Sequence, residues 1–276
     1  MGNFLTDQMA RLGDDTIAQG MRYATGAGKR LRGFLVLESA ALFGVPKERA
    51  LYAAGAVECL HAYSLVHDDL PCMDDDALRR GQPTVHVKWD EATAVLVGDA
   101  LQTFAFELLS CEEAGTAEER VTLMATLARA SGAEGMVLGQ AQDIAAETAG
   151  QALTLDEITA LQANKTGRLI EWPAYAGALL GGADPAPLRT YARAIGLAFQ
   201  IADDVLDVEG DAATAGKALR KDADAGKATF VSLLGLDAAK ARAGELVREA
   251  DAALAPYGEK AQVLRDLAHY IVSRDK

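Results

Sequence analysis

Asp203 and Asp207 stand four residues apart at the end of YARAIGLAFQIA, a segment too apolar to be a surface helix. At that spacing the two carboxylates share one helix face, with Asp204 beside them, and like charges so placed destabilise an isolated helix. Acidic groups carried on a buried element must face a cavity or a counter-charge. Whatever this chain folds into therefore has to present an acidic cluster at the end of a core helix and neutralise it there.

The rest of the sequence supplies helices for such a core. Ala, Leu, Arg, Glu and Gln fill most segments and β-branched alternation is scarce, so the summed propensity points to an all-α fold. With 276 residues, half of them apolar, and seven prolines, the chain shows no linker and reads as one domain over residues 1–276. The Gly/Ala clusters near 132–139 and 177–186 read as helix connections or tight packing. A net charge of −13 excludes a basic nucleic-acid or anionic-membrane face and favours small-molecule chemistry. Asp99 and Gln102 interrupt the apolar stretch 92–106 and the run 172–183 is short, so none approaches the roughly 20 residues that span a bilayer. The start, MGNFLTDQMARLGDD, lacks a secretory pattern, and a cytoplasmic protein is expected. Met1-Gly2 with Thr6 fits a loose myristoylation pattern of a kind that arises by chance. Cys59, Cys72 and Cys111 show neither a disulfide framework nor zinc-ligand spacing.

A second acidic cluster follows LYAAGAVECLHAYSLVH, an apolar helix over 51–67 that delivers Asp68 and Asp69 at its C-terminal end, where carboxylates oppose the helix dipole. Asp74 is six residues beyond Asp68, on a different face of a regular helix. Pro71 disfavours helical geometry at Leu70, so the backbone can bulge and return Asp74 toward Asp68. Alone, DDLPCMDDD could be a solvated acidic turn. Together with the second cluster it predicts a site for hard divalent cations. Magnesium fits, since it takes one or two carboxylates and completes its shell with water and substrate phosphates.

Basic residues suited to phosphate lie near glycines or acidic motifs: Lys29, Arg30 and Arg32 in GAGKRLR, Arg79 and Arg80 after the first cluster, and Lys217 and Lys227 after the second. Each one alone reads equally as a solvated surface charge or, for Arg79 and Arg80, as an ion pair with the adjoining aspartates. No Walker loop exists, because neither GKA triplet has the hydroxyl or the glycine spacing, so nucleotide binding is not expected. His61 lies close to the face of Asp68 and could contact a diphosphate or simply be packed. His67, His86 and His269 read as packed. Gln140 and Asp143 share a helix face and could support the cation site or form a buried hydrogen-bonded pair.

In order, GKRLR at 28–32, HAYSLVHDDLPCMDDDALRRGQPTVH at 61–86, GDALQTFAF at 98–106, GQAQDI at 139–144, KTGRLI at 165–170 and FQIADDVLDVEGD at 199–211 resemble the short-chain trans-isoprenyl diphosphate synthases. The bacterial farnesyl diphosphate type is the nearest. This resemblance covers nearly the whole chain. It implies a bundle of long helices around a deep central cavity, the two aspartate motifs facing each other across its mouth, three Mg2+ per active site and a homodimer without stable membrane insertion. An allylic diphosphate (dimethylallyl or geranyl) would bind through metal to Asp68, Asp74, Asp203 and Asp207, with Asp69 and Asp204 assisting, and to Arg79, Lys165, Lys217 and Lys227. Isopentenyl diphosphate would be held by Lys29, Arg32, His61 and Arg80. Head-to-tail condensation would give mainly farnesyl diphosphate, with Thr166 and Gln200 directing oxygen dipoles at the carbocation.

By the same resemblance the chain-length stop falls at Tyr63. On an ideal helix Ser64 lies under Asp68 and Tyr63 is rotated roughly 140° away, so spacing alone does not choose between them. Gly33 stands where such enzymes commonly have proline, and Trp172-Pro173 after KTGRLI is a further departure, because an interior helix proline costs about 3 kcal/mol unless a kink is accommodated. Three rivals stay open. These are a geranylgeranyl diphosphate synthase, a class I terpene cyclase that would not need the second anion clamp, and a non-catalytic prenyl-diphosphate-binding subunit.

Overall fold

The helix that ends in the first acidic cluster has no polar stripe, and it is buried accordingly: every residue from Ala53 to Leu60 is enclosed, including Glu58. The computed structural model describes residues 1–149, 153–209 and 229–274, and its contacts divide the chain into two compact units. The first comprises residues 1–127 with 179–183, the second 128–178 with 184–276.

In the first unit, α1 (Gly2–Met9), α2 (Thr16–Gly26), α3 (Leu31–Leu42), α4 (Lys47–Asp68), the short α5 (Val85–Lys88) and α6 (Glu91–Ser110) precede α7 (Ala117–Ser131), within which the division falls. Helix α4 is the centre, packed against α3 and α6. Leu60, Leu101 and Leu108 are fully buried, each contributing about 1.5–3 kcal/mol relative to exposure. Gly98 permits the close α4–α6 approach, since a β-carbon there would overlap the His67 ring, whose Nε2 lies 3.1 Å from the Val95 carbonyl oxygen. Asp90 caps α6 by accepting the Thr93 N–H at 2.6 Å.

Helix α6 corrects one sequence expectation. Asp99 and Gln102 do not interrupt it, and over 20 residues it is long and apolar enough to cross a membrane by length and composition. One face is buried against α2 and α4 of this unit, while Asp99, Gln102 and Glu107 lie on the exposed side.

The strands among the described residues form one antiparallel hairpin, β1 (Leu78–Arg79) and β2 (Gln82–Pro83), with Leu78 opposite Pro83 and Arg79 opposite Gln82. Its two-residue turn is Arg80-Gly81, with φ of 54° and 75°, the positive pair that a tight turn matched to strand twist requires. Glycine accepts this conformation freely; for Arg80 it costs about 1–2 kcal/mol.

The second unit holds α8 (Met136–Ala149), α9 (Leu155–Gln162), a π-helical turn at Ala163–Gly167, α10 (Arg168–Leu180) up to residue 178, α11 (Ala186–Glu209), α12 (Phe230–Leu234), α13 (Leu236–Ala253) and α14 (Gln262–Ser273). A capping box between Thr154 and Glu157 starts α9. Helix α11 buries one stripe, from Leu188 through Ile195 to Ile201, against α13 and α14, and Tyr191 Oη donates to the Leu264 carbonyl at 2.7 Å. Pro173 is carried inside α10 beside the fully buried Trp172. Buried Glu171 gathers Arg168, Arg189 and Arg193 at 3.3, 2.8 and 3.1 Å.

Candidate active site

At the end of α4 the backbone performs the return that Pro71 leads one to expect. The Asp69 amide still donates to Leu65 O, but Asp74 N–H reaches back to Asp68 O at 2.8 Å and Asp75 N–H to Leu70 O at 3.1 Å. Asp74 thereby comes beside Asp68, with Cys72 on the exposed bulge between them. Asp69 faces elsewhere. Only 3% exposed, it accepts from Arg79, whose Nε and Nη2 both lie 2.6 Å from Oδ1, so the hairpin is folded back onto the helix end. Burial pushes the Asp69 carboxyl upward and Arg79 opposes that shift. Arg79 also lies 3.6 Å from Asp76.

A group of cations surrounds His61 two turns earlier on α4. Burial holds its imidazole well below the ordinary histidine value, and Arg32, Arg80, Arg79 and Arg30 act in the same direction. The ring is therefore neutral at pH 7 and can donate from only one nitrogen. Burial lowers Arg32 to about 10, with Glu58 opposing and Arg80 reinforcing, and Arg32 Nε is buried without a hydrogen-bond partner. Arg80 donates to Ala27 O at 2.6 Å, passing so close to Gly28 that a β-carbon there would overlap the guanidinium. Lys29 is exposed. Three non-glycine residues, Arg30, Asp75 and Arg80, have a left-handed backbone among the described residues, and all three belong to this region. Strain gathered in one place is a mark of a functional site.

Tyr63 is buried, edge-on to His67 with ring centroids 5.6 Å apart, and hydrogen-bonded to Gln102. Burial raises its phenol and Asp68 pushes the same way, so Tyr63 is electrostatically coupled to the first acidic motif despite its helical offset. Ser64 is also buried, its hydroxyl spent on His61 O at 3.0 Å.

In the second unit Lys165 and Thr166 sit within the π-helical turn. Gly139 makes room for it, since a β-carbon would strike the Lys165 backbone nitrogen. Lys165 Nζ lies 2.5 Å from Asp143 Oδ2, and Asn164 donates to Gln142 at 3.1 Å. Asp143 thus pairs with the lysine. Asp203, Asp204 and Asp207 occupy the last turns of α11, with Gln200 half-buried before them. Arg274, itself buried and stacked over the Phe199 ring at 4.1 Å, forms an ion pair with Asp203. Asp204 accepts the Phe230 N–H at 2.6 Å, at the first turn of α12. Lys217 and Lys227 lie outside the described residues.

Among the described residues no three carboxylate, imidazole or thiolate groups converge closely enough to cage a metal alone. Magnesium typically completes its shell with water and substrate phosphates beyond one or two carboxylates. His67 and His86 have polar partners, Val95 O and the Thr84 hydroxyl, whereas His269 departs from the packed reading: it is exposed and 2.9 Å from Asp251. Glu58, Asp143 as partner of Lys165, and Arg274 were not singled out for these roles by the sequence. A buried Glu in an otherwise apolar helix segment, AAGAVECL, was the available signal for the first.

The polyprenyl synthetase family model matches residues 14–266. Farnesyl diphosphate synthase of Escherichia coli K12 is 46% identical, the alignment covering 94% of this chain and 90% of that one. An FPP/GFPP synthase from Zymomonas mobilis superposes with a TM-score of 0.87 at 47% identity, over 98% of this chain and 99% of that chain. The Helicobacter pylori geranyltransferase complexed with magnesium and isoprenyl diphosphate gives 0.79 at 35% identity, over 93% and 86%.

Proposed function

The chain belongs to the polyprenyl synthetase family, and on that premise we propose that it condenses isopentenyl diphosphate head-to-tail with dimethylallyl or geranyl diphosphate, giving mainly farnesyl diphosphate. The observation that carries this reading is the group of arginines whose charges bear on His61, with the unpartnered buried Nε of Arg32 inside it. A cyclase handling one diphosphate has no use for a second anion cradle at a distance in sequence from its metal motif. A chain-elongating transferase requires one.

In this reading Lys29, Arg32, His61 and Arg80 hold isopentenyl diphosphate, and the allylic diphosphate falls to Arg79, Lys165, Lys217 and Lys227. Asp68 and Asp74 in the first unit and Asp203 and Asp207 in the second would be the ligands of magnesium, three ions in all, which when bound would supply the charge neutralisation that the leaving diphosphate needs. Asp69 and Asp204 assist by fixing protein groups, Arg79 and the start of α12. Lys165 adds positive charge where negative charge develops, and Thr166 and Gln200 aim oxygen dipoles at the allylic carbons as the carbon–oxygen bond breaks. The alkene of isopentenyl diphosphate then attacks, and a proton leaves to the released diphosphate. Tyr63 limits the product length, and the enzyme acts as one domain and as a homodimer. The test is incubation of pure protein with magnesium, isopentenyl diphosphate and each allylic starter, with products identified by mass. A C15 diphosphate formed only when both substrates are present is expected; cyclised or hydrolysed allylic product without isopentenyl diphosphate would reverse the conclusion.

A further inference from the structure

Glu58 is 5% exposed on α4, one turn before His61 and flanked by the fully buried Val57 and Cys59. A lone carboxylate in such surroundings is costly unless its oxygens are satisfied and its charge is matched. Both conditions are met by the start of α3. Glu58 Oε1 accepts the buried Gly33 N–H at 2.8 Å, and Oε2 lies 3.6 Å from Arg30 Nη1. Arg30, in the left-handed conformation at the N-cap of α3, also donates to Thr25 O. One buried carboxylate thus grips α3 at the residue before its first turn and again at its third residue. Arg32 lies between the two points.

We propose that Glu58 is the positioning residue of the anion cradle, fixing the first turn of α3 so that Arg32, with His61 and Arg80, is preset for a diphosphate. Gly33 is part of the device, because a proline at that position would have no N–H to give. The assignment of the diphosphate to isopentenyl diphosphate rests on the proposed function; the anchoring of Arg32 does not. Two effects of losing the carboxylate oppose each other. Added net positive charge would on its own attract an anion. Against it, Arg32, half-buried and no longer offset by the Glu58 charge, relaxes toward water and takes its preset donors with it. Glu58 holds α3 on both sides of Arg32, at Arg30 and at Gly33, so the second effect dominates.

Two substitutions test this by steady-state kinetics with both substrates varied. Glu58→Gln keeps the shape and an acceptor for Gly33 but loses the charge; Glu58→Asp keeps the charge but withdraws it by one methylene. The KM for isopentenyl diphosphate is expected to rise by about threefold or more in either folded variant while the KM for the allylic diphosphate stays within about twofold. A smaller rise, or equal rises for both substrates tracking a loss of Tm, overturns the assignment. If Glu58→Gln does not fold, Glu58→Asp carries the same comparison. The unaltered chain separates the two levels of inference. No condensation product from it sinks the prenyl-transfer reading, whereas product from it with unchanged constants in the variants sinks only the role of Glu58.

Discussion

Lys165 Nζ and Asp143 Oδ2 lie 2.5 Å apart, joining the π-helical turn to α8 across the space that Gly139 leaves open. An ammonium on four methylenes is mobile unless something holds it. The pair gives Lys165 one direction before any substrate arrives. Asp143→Asn is expected to lower kcat by about tenfold through misplacement of the ammonium, with the KM for isopentenyl diphosphate little changed. Single-turnover rates at saturating substrate check it, and an unaltered rate would leave the pair without a part in the reaction.

Neighbouring aspartates of the first motif do different work, and substitution should separate them. Asp69 is buried under Arg79, whereas Asp68 closes α4 beside the returning Asp74. Asp69→Asn breaks a buried pair whose arginine is about one-third exposed, so a loss of about 2–3 kcal/mol is expected, below the full cost of stranding a buried charge. Asp68→Asn should leave the denaturant midpoint nearly in place and abolish magnesium-dependent turnover. Equal destabilisation by the two changes would remove the distinction.

Much of this was legible in the sequence because it depends on spacing along one helix or across one turn. The apolar helix ending at Asp68, the bulge at Pro71 and the shared face of Asp203 and Asp207 follow from helix periodicity and from proline's missing N–H. What was not legible depends on partners far apart in the chain. Nothing in KTGRLI signals a π-helical turn, and no local rule joins Arg274 to Asp203 or Glu58 to Gly33. Tyr63 lies between these cases. Helical spacing turns it away from Asp68, yet it is buried and electrostatically coupled to that carboxylate.

Arg274 supplies Asp203 with a counter-charge from inside the protein. A cation that binds Asp203 must displace this guanidinium or share the carboxylate with it. Arg274→Gln is therefore expected to strengthen magnesium binding by a few-fold, because Asp203 then loses a counter-charge that competes with the metal. The magnesium dependence of Tm reads this without reference to turnover. Weaker binding in the variant would show that Arg274 orders the motif rather than competing for it.

Product length offers a separate check on Tyr63. Its ring is buried, edge-on to His67 and tied to Gln102, so removing it opens space in unit 1 that neighbouring side chains do not readily fill. Tyr63→Ala is expected to shift the product from C15 toward C20 at similar total turnover. Mass analysis showing C15 alone would move the length stop elsewhere.

His61 makes the stability of the fold pH-dependent in a direction that can be worked out. Its folded-state value is held well below the ordinary 6.5 by burial and by the surrounding arginines, so between those two values the unfolded chain binds a proton that the folded chain does not. Stability is then complete above about pH 6.5 and falls as pH drops below it. His61→Gln cannot take up that proton, and its loss of Tm between pH 7.5 and pH 5.5 is expected to be smaller than that of the unaltered chain by about 2–4 °C, the shift corresponding to about 1 kcal/mol in a chain of this size. The arginines dictate the same sign from the other side: a protonated His61 would join a cluster of cations. Parallel Tm–pH curves for the two proteins would mean that His61 is already solvated or already charged in the folded state, which is incompatible with its place in the cradle.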